Sequence, residues 1–171
     1  NEYGYCAHII SAEALLKQEL RKDCEIIDIG CGTGLVAEKL ISMGFSNITG
    51  LDVSSKMIAI AKGKGLYKKL YKKRVEDLDD SISGKFDVLM CVGSFGLGHI
   101  GPESLKTLMH LVNKGAIIII FMNAEPFILE DYNKYIENLV SFNVVEVITI
   151  EDLNYMSKIE RPGKLIIFKR Q

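Results

Sequence analysis

The stretch from Glu25 to Asp52 leaves the chain few folds to choose from. It reads Glu25-Ile26-Ile27-Asp28-Ile29-Gly30-Cys31-Gly32-Thr33-Gly34-Leu35, runs on to Met43, and resumes as Ile48-Thr49-Gly50-Leu51-Asp52. Apolar positions around Asp28 suit a short strand buried on both faces, as in a parallel sheet. Gly30, Gly32 and Gly34 allow a sharp turn and a close approach of backbone to ligand. Val36, Leu40 and Met43 share one helical face, and Gly44 stands where a helix C-cap belongs. Ile48 to Asp52 restores a strand that ends on a carboxylate. The pattern is a βαβ unit with a nucleotide-type loop.

Charge separates the two ligand classes that use such a unit. In dinucleotide folds the glycine turn offers a helix N-terminus to a pyrophosphate, and an acidic residue about 20 positions on takes the ribose hydroxyls. Asp52 lies 22 residues after Gly30 and suits a ribose in either class. The turn is Gly-x-Gly-x-Gly rather than Gly-x-Gly-x-x-Gly, and Asp28 precedes it. A carboxylate repels a pyrophosphate and attracts an ammonium or sulfonium. S-adenosylmethionine carries both cations, so the loop favours it over NAD.

Ile27-Asp28-Ile29-Gly30-Cys31-Gly32-Thr33-Gly34 resembles the first motif of the class I S-adenosylmethionine-dependent methyltransferases, and Leu51-Asp52-Val53-Ser54-Ser55-Lys56-Met57 resembles their second. The resemblance covers roughly residues 25 to 122. Within that superfamily the chain looks closest to the methyltransferase-like protein of the Williams-Beuren syndrome region, through Gly34-Leu35-Val36-Ala37, Gly65-Leu66-Tyr67 and Phe86-Asp87-Val88-Leu89 followed by Val92-Gly93. It implies an α/β, Rossmann-like fold with a seven-stranded, mostly parallel sheet, an antiparallel last strand and helices on both faces. The implied cofactor is S-adenosylmethionine, with S-adenosylhomocysteine as product. The implied contacts to it are Asp28, Gly30, Cys31, Gly32, Gly34, Asp52, Val53, Met57, Val75, Glu76, Asp77 and Val92. Superfamily members often end the third strand on an Asp that accepts from the adenine amino group. Arg74 stands at the matching position and cannot accept; Val75 N–H and the carboxylate of Glu76 or, preferably, Asp77 are expected instead.

The rest of the chain fills in around these motifs. Residues 5 to 22 read as a helix with an apolar stripe at Ile9, Ala12, Leu15, Leu16 and Leu20. Ser54 is the expected N-cap of a helix through about Lys62. A third strand is expected near Leu70 to Arg74 and a fourth at Phe86 to Val92. The glycine-rich loop Gly93 to Pro102 follows, then a helix over Glu103 to Val112. Asn113-Lys114-Gly115 reads as a turn before a fifth strand, Ala116 to Met122. A helix over Leu129 to Phe142 precedes strands at Val144 to Ile150 and Leu165 to Phe168, with Arg161-Pro162-Gly163 as a turn. One domain spanning 1–171 is expected, its first 24 residues an N-terminal helix. In the resembled family a segment with a Trp, and helices, precede the first strand and close over the cofactor. Here Trp is absent, the chain opens on Asn1, and an upstream lid segment is expected to be missing.

Methyl transfer from a sulfonium is an in-line displacement that orientation and desolvation can drive, contributing on the order of 7–11 kcal/mol. No catalytic residue is required by the motifs. His99, the ionisable side chain of the Gly93–Pro102 loop, is the candidate proton acceptor; His8 and His110 are expected to be structural. Acceptor walls are expected from the N-terminal segment, Gly93–Pro102, Asn123–Ile128 and Asn154–Pro162, where Phe95, Phe127, Tyr155 and Met156 suit a small or partly apolar molecule. Lys62, Lys64, Lys68, Lys69, Lys72, Lys73 and Arg74 crowd seven cations into thirteen residues. That run is an RNA-binding candidate, but Glu76, Asp77, Asp79 and Asp80 follow it and the formal net charge is −1, which favours a solvated edge. Two alternatives stand beside the small-molecule enzyme: a cofactor-binding module without independent activity, and an RNA-directed methyltransferase using Lys62 to Arg74. Cys6, Cys24, Cys31 and Cys91 lack paired spacing, so neither disulfides nor a metal is expected. No apolar run could cross a bilayer, and a cytoplasmic or nuclear setting is expected.

Overall fold

The computed structural model describes residues 3–78, 82 and 85–171, so Asp79 and Asp80 lie outside the described residues. Seven strands form one sheet: β1 Ile26–Ile29, β2 Ile48–Asp52, β3 Lys69–Lys72, β4 Phe86–Val92, β5 Val112–Asn123, β6 Val145–Asn154 and β7 Pro162–Arg170. Their order is β3-β2-β1-β4-β5-β7-β6. The pairings β1–β2, β1–β4, β2–β3 and β4–β5 are parallel, and β7 runs antiparallel between β5 and β6. This is the expected α/β, Rossmann-like architecture with an antiparallel last strand. Among the described residues six α-helices accompany it: α1 Ala7–Leu16, α2 Leu35–Ser42, α3 Ser55–Gly63, α4 Ser104–Met109, α5 Ala124–Leu129 and α6 Tyr132–Ser141.

Side chains that alternate along each strand build two cores. Ile26, Ile48, Val88, Met90, Ile117 and Ile119 pack with α1 and α2 through Ala12, Leu15, Val36 and Leu40. Ile27, Ile29, Leu89, Cys91, Ile118 and Ile120 pack on the other face with α4 and α6 through Leu105, Leu108, Ile136 and Leu139. Because both faces are covered, β1 is buried at every position, Asp28 included. Ser54 caps α3, its side chain accepting from Met57 N–H at 3.3 Å.

Several boundaries differ from the sequence reading, each for a local reason. The first helix ends at Leu16, and Glu19 then takes a positive φ of 53°. The third strand closes at Lys72, and Val75–Asp77 forms a 3-10 turn. Asn113-Lys114-Gly115 lies inside β5 rather than before it. Phe86 pairs with Val112 and Val88 with Ile117, so the three residues bulge out of the ladder, with Gly115 at φ +82°. Asp87 steadies this edge: it accepts from Glu25 N–H at 3.0 Å and from Asn113 Nδ2 at 3.1 Å. The expected helix over Leu129 to Phe142 is α6, which starts only at Tyr132 because Asp131 before it adopts φ 50°; the short helix α5 precedes it and was not expected. Strands β6 and β7 outrun their apolar cores because backbone pairing continues to Asn154 and Pro162.

Candidate functional site

The ends of β1, β2 and β4 place the carboxylates, the glycine turn and the Gly93 loop at one edge of the sheet. Cys31 N–H donates to Leu51 O at 3.0 Å, which draws the turn across the end of β2. Gly32 N–H donates to Asp52 Oδ2 at 2.8 Å, and Ser54 N–H to Asp52 Oδ1 at 2.8 Å. Asp52 is half-buried, and each of its oxygens keeps a lone pair for a further donor.

The three glycines of the turn do different work. A Cβ on Gly30 would overlap Ser94, whose Oγ donates to Gly30 O at 3.2 Å; Gly30 therefore lets the loop after β4 dock on the turn. A Cβ on Gly34 would lie 3.2 Å from the Tyr67 ring. A Cβ on Gly32 would meet nothing nearer than 4.0 Å, so the open side of the turn is at Gly32. All three have positive φ, between 54° and 92°, where side chains with a Cβ are strained.

Asp28 is 1% exposed and receives the Tyr67 hydroxyl on Oδ2 at 2.7 Å. Burial raises its pKa to about 7; the Tyr67 hydrogen bond lowers it and the nearby Asp52 charge adds to the rise. Burial pushes the Cys31 thiol up to about 12, with Asp28 and Asp52 reinforcing the effect.

Beside the turn, a cleft of about 80 Å³ is lined by Gly30, Cys31, Thr33 and Val92, together with Tyr5 and His8. His8 thus stands at the site rather than away from it, because α1 lies across this edge. Its ring stacks on Tyr5 with centroids 5.6 Å apart, its Nδ1 is buried without a hydrogen-bond partner, and burial lowers its pKa. A larger cavity of about 440 Å³ adjoins, with Tyr5 lining both. Its walls come from the four expected stretches: Tyr5, then Phe95 and His99, then Asn123 and Glu125, then Tyr155 and Met156. Phe127 is a correction. It is 3% exposed and stacks on Tyr132 within the core at 5.7 Å. Tyr5, Tyr155 and Phe121 form an edge-to-face series. Cys6 N–H bonds Tyr155 O and Ser157 N–H bonds Gly4 O, which ties the N-terminal segment to the β6–β7 loop.

The other sequence-level candidates spread outward. Val53 and Met57 are exposed at the start of α3, next to Asp52. Val75 is buried in the 3-10 turn after β3. Glu76 is engaged, accepting from Arg74 Nε at 3.1 Å and Ser104 Oγ at 3.4 Å, while Asp77 is exposed beside it. His110 is exposed at the end of α4. The basic run follows α3 and forms the edge strand β3; Lys64 pairs with Glu38 at 3.0 Å and Arg74 with Glu76. The described residues contain no group of three or more potential metal ligands and no helix long and apolar enough to cross a membrane. Tyr5, His8 and Tyr67 escaped the sequence reading; only the Gly65-Leu66-Tyr67 match hinted at the last.

Comparison with known proteins places these features. The methyltransferase-domain family matches residues 26–115. Methyltransferase-like protein 27 of Homo sapiens is 33% identical over 94 residues, 54% of this chain and 38% of that one. Ubiquinone biosynthesis O-methyltransferase of Dechloromonas aromatica is 33% identical over 111 residues, 59% of this chain and 45% of that one. The chain thus spans less than half the length of these two relatives. Among solved structures, magnesium protoporphyrin IX methyltransferase from Synechocystis with bound SAH superposes with a TM-score of 0.72 at 16% identity, covering 96% of this chain and 81% of that one.

Proposed function

The chain belongs to the methyltransferase-domain family, and from that premise we propose that it transfers the methyl group of S-adenosylmethionine to a small, partly apolar acceptor. The observation that carries the reading is the open glycine turn between two carboxylates: Asp28 beneath it, Asp52 hydrogen-bonded to Gly32 N–H, and nothing nearer than 4.0 Å to a Cβ at Gly32. That donor set suits a cationic amino-acid end at Asp28 and ribose hydroxyls at Asp52, with Cys31, Gly34 and Val92 lining the way. Val53, Met57, Val75 and Asp77 would flank the adenine, and the engagement of Glu76 with Arg74 and Ser104 supports Asp77 for the amino group. The methyltransferase-like protein 27 match makes that protein the narrower relative we favour.

When bound, the cofactor supplies an electrophilic methyl whose carbon–sulfur bond breaks as the bond to the acceptor forms. The chain's part is to align and dry the two reactants. Tyr5 stands where the cleft meets the cavity, and Phe95, Phe121 and Tyr155 give the cavity aromatic walls. Burial holds Tyr5 neutral, its pKa pushed up to about 12. The cavity walls carry one carboxylate, Glu125, and no Lys or Arg among the described residues, which supports an uncharged or weakly basic acceptor. His99, exposed on the wall, takes the acceptor's proton where one must leave.

Calorimetric titration with S-adenosylhomocysteine and NAD tests the reading. The homocysteine ligand should bind and NAD should not. Gly32→Val, which fills the open side of the turn, should abolish binding; a folded variant with unchanged affinity overturns the assignment.

A further inference from the structure

Tyr67 stands outside the site that sequence motifs define, yet it reaches the buried end of that site. It lies in the link between α3 and β3, and its hydroxyl donates to Asp28 Oδ2 at 2.7 Å. Two missing side chains make room for its ring. A Cβ on Gly50 would lie 2.9 Å from Tyr67 Cε1 and 3.0 Å from Cys31 Sγ, and a Cβ on Gly34 would lie 3.2 Å from Tyr67 Cε2. Gly50 is also the register partner of Asp28 on β2. The slot therefore opens beside the carboxylate, and a phenol fills it with its polar end on Asp28. An apolar ring of the same shape would fill the slot equally well. The hydroxyl is what ties it to the carboxylate.

We propose that Tyr67 is a positioning residue for cofactor binding: its hydroxyl fixes the Asp28 carboxylate beneath the glycine turn, where that charge holds the amino-acid end of the cofactor. The inference rests on the cofactor reading above. Its physical basis is the cost of a buried anion, which a hydrogen bond to the ionised form reduces. The titratable groups that face Asp28 are Tyr67 from the α3–β3 link, Cys31 from the turn, Asp52 from β2, Cys91 from β4 and Tyr5 from the N-terminal segment. Burial raises Tyr5 and Cys31 to about 12 and keeps Tyr67 and Cys91 neutral as well, whereas Asp28 is brought to about 7. Removing the hydroxyl takes away the hydrogen bond that lowers the Asp28 pKa against the effect of burial.

The experiment measures affinity against pH for two ligands, S-adenosylhomocysteine and methylthioadenosine, which lacks the amino-acid end. Wild-type affinity for the first should climb as pH rises through about 7, as Asp28 ionises. In Tyr67→Phe that climb should move to higher pH, leaving binding roughly tenfold weaker near neutrality. Methylthioadenosine should bind both proteins alike at every pH. Asp28→Asn, which keeps a partner for the hydroxyl, should abolish the climb. An unchanged profile in Tyr67→Phe, an equal loss of methylthioadenosine affinity, or a climb that persists in Asp28→Asn each overturns the proposal. Wild-type protein that binds neither ligand overturns the cofactor reading and this one with it; wild type that binds both, with Tyr67→Phe indistinguishable, removes Tyr67 alone.

Discussion

Asp28 sits between Gly50 on β2 and Met90 on β4, buried from bulk solvent. Its pKa rises from 3.8 to about 7 on folding, so the folded chain holds the proton more tightly than the unfolded chain. Its contribution to stability is therefore full below about pH 4 and is lost as pH climbs to about 7. The cost at higher pH is on the order of a few kcal/mol. Asp28→Asn should consequently gain thermal stability over wild type as pH rises from 4 to 8, while losing affinity for S-adenosylhomocysteine. A melting-temperature difference that stays flat with pH would contradict the buried ionisation. Asp52 is half-buried and already bonded to two backbone N–H groups. Charge-assisted bonds contribute about 1.5–3 kcal/mol, so Asp52→Ala should weaken cofactor binding about tenfold to a hundredfold. A 2′-deoxy cofactor should lose little more in that variant; a full additional loss would separate Asp52 from the ribose.

At the scale of elements, the β6–β7 hairpin builds a wall of the cavity proposed for the acceptor from a polar hub. Asn154 Nδ2 donates to Met156 O at 2.6 Å and Ile159 O at 3.1 Å, and its Oδ1 accepts from Arg161 N–H at 2.5 Å. These bonds shape the loop that carries Tyr155 and Met156. Asn154→Ala should lower stability by about 1–2 kcal/mol, raise the KM for acceptor and leave cofactor affinity unchanged; an unaltered KM would detach the loop from acceptor binding. The hairpin also marks how far the sequence could be read. The units from β1 to β2 and at β4 were legible because glycine, buried apolar runs and terminal carboxylates are local signals. The ends of β6 and β7 were not, because backbone pairing carries exposed residues such as Glu151 and Asp152 into the ladder. Helix α5 stayed hidden behind Pro126, although Asn123 caps it by accepting from Glu125 N–H. Tyr5 and His8 reach the site from the N-terminal segment and Tyr67 from the α3–β3 link, and only tertiary packing brings them together.

Across the whole molecule the sheet ends in two unpaired edges, and the basic run borders one of them. Strand β3 exposes Lys69 and Lys72, with Lys68 just before it. It stands at the end of the sheet away from β5 and β7, whose neighbouring segments wall the cavity proposed for the acceptor. Charged side chains on an edge strand keep a second chain from adding to its free N–H and C=O groups. Lys64 and Arg74 are moreover matched by carboxylates on the same surface. These features favour a solvated edge over a nucleic-acid recognition surface. Replacing Lys68, Lys69 and Lys72 by Thr should leave affinity for S-adenosylhomocysteine unchanged and promote self-association, seen as concentration-dependent growth in light scattering. If the parent protein instead binds single-stranded RNA in a strongly salt-sensitive way, and these substitutions remove that binding, the edge is a recognition surface and the acceptor is sought among nucleic acids.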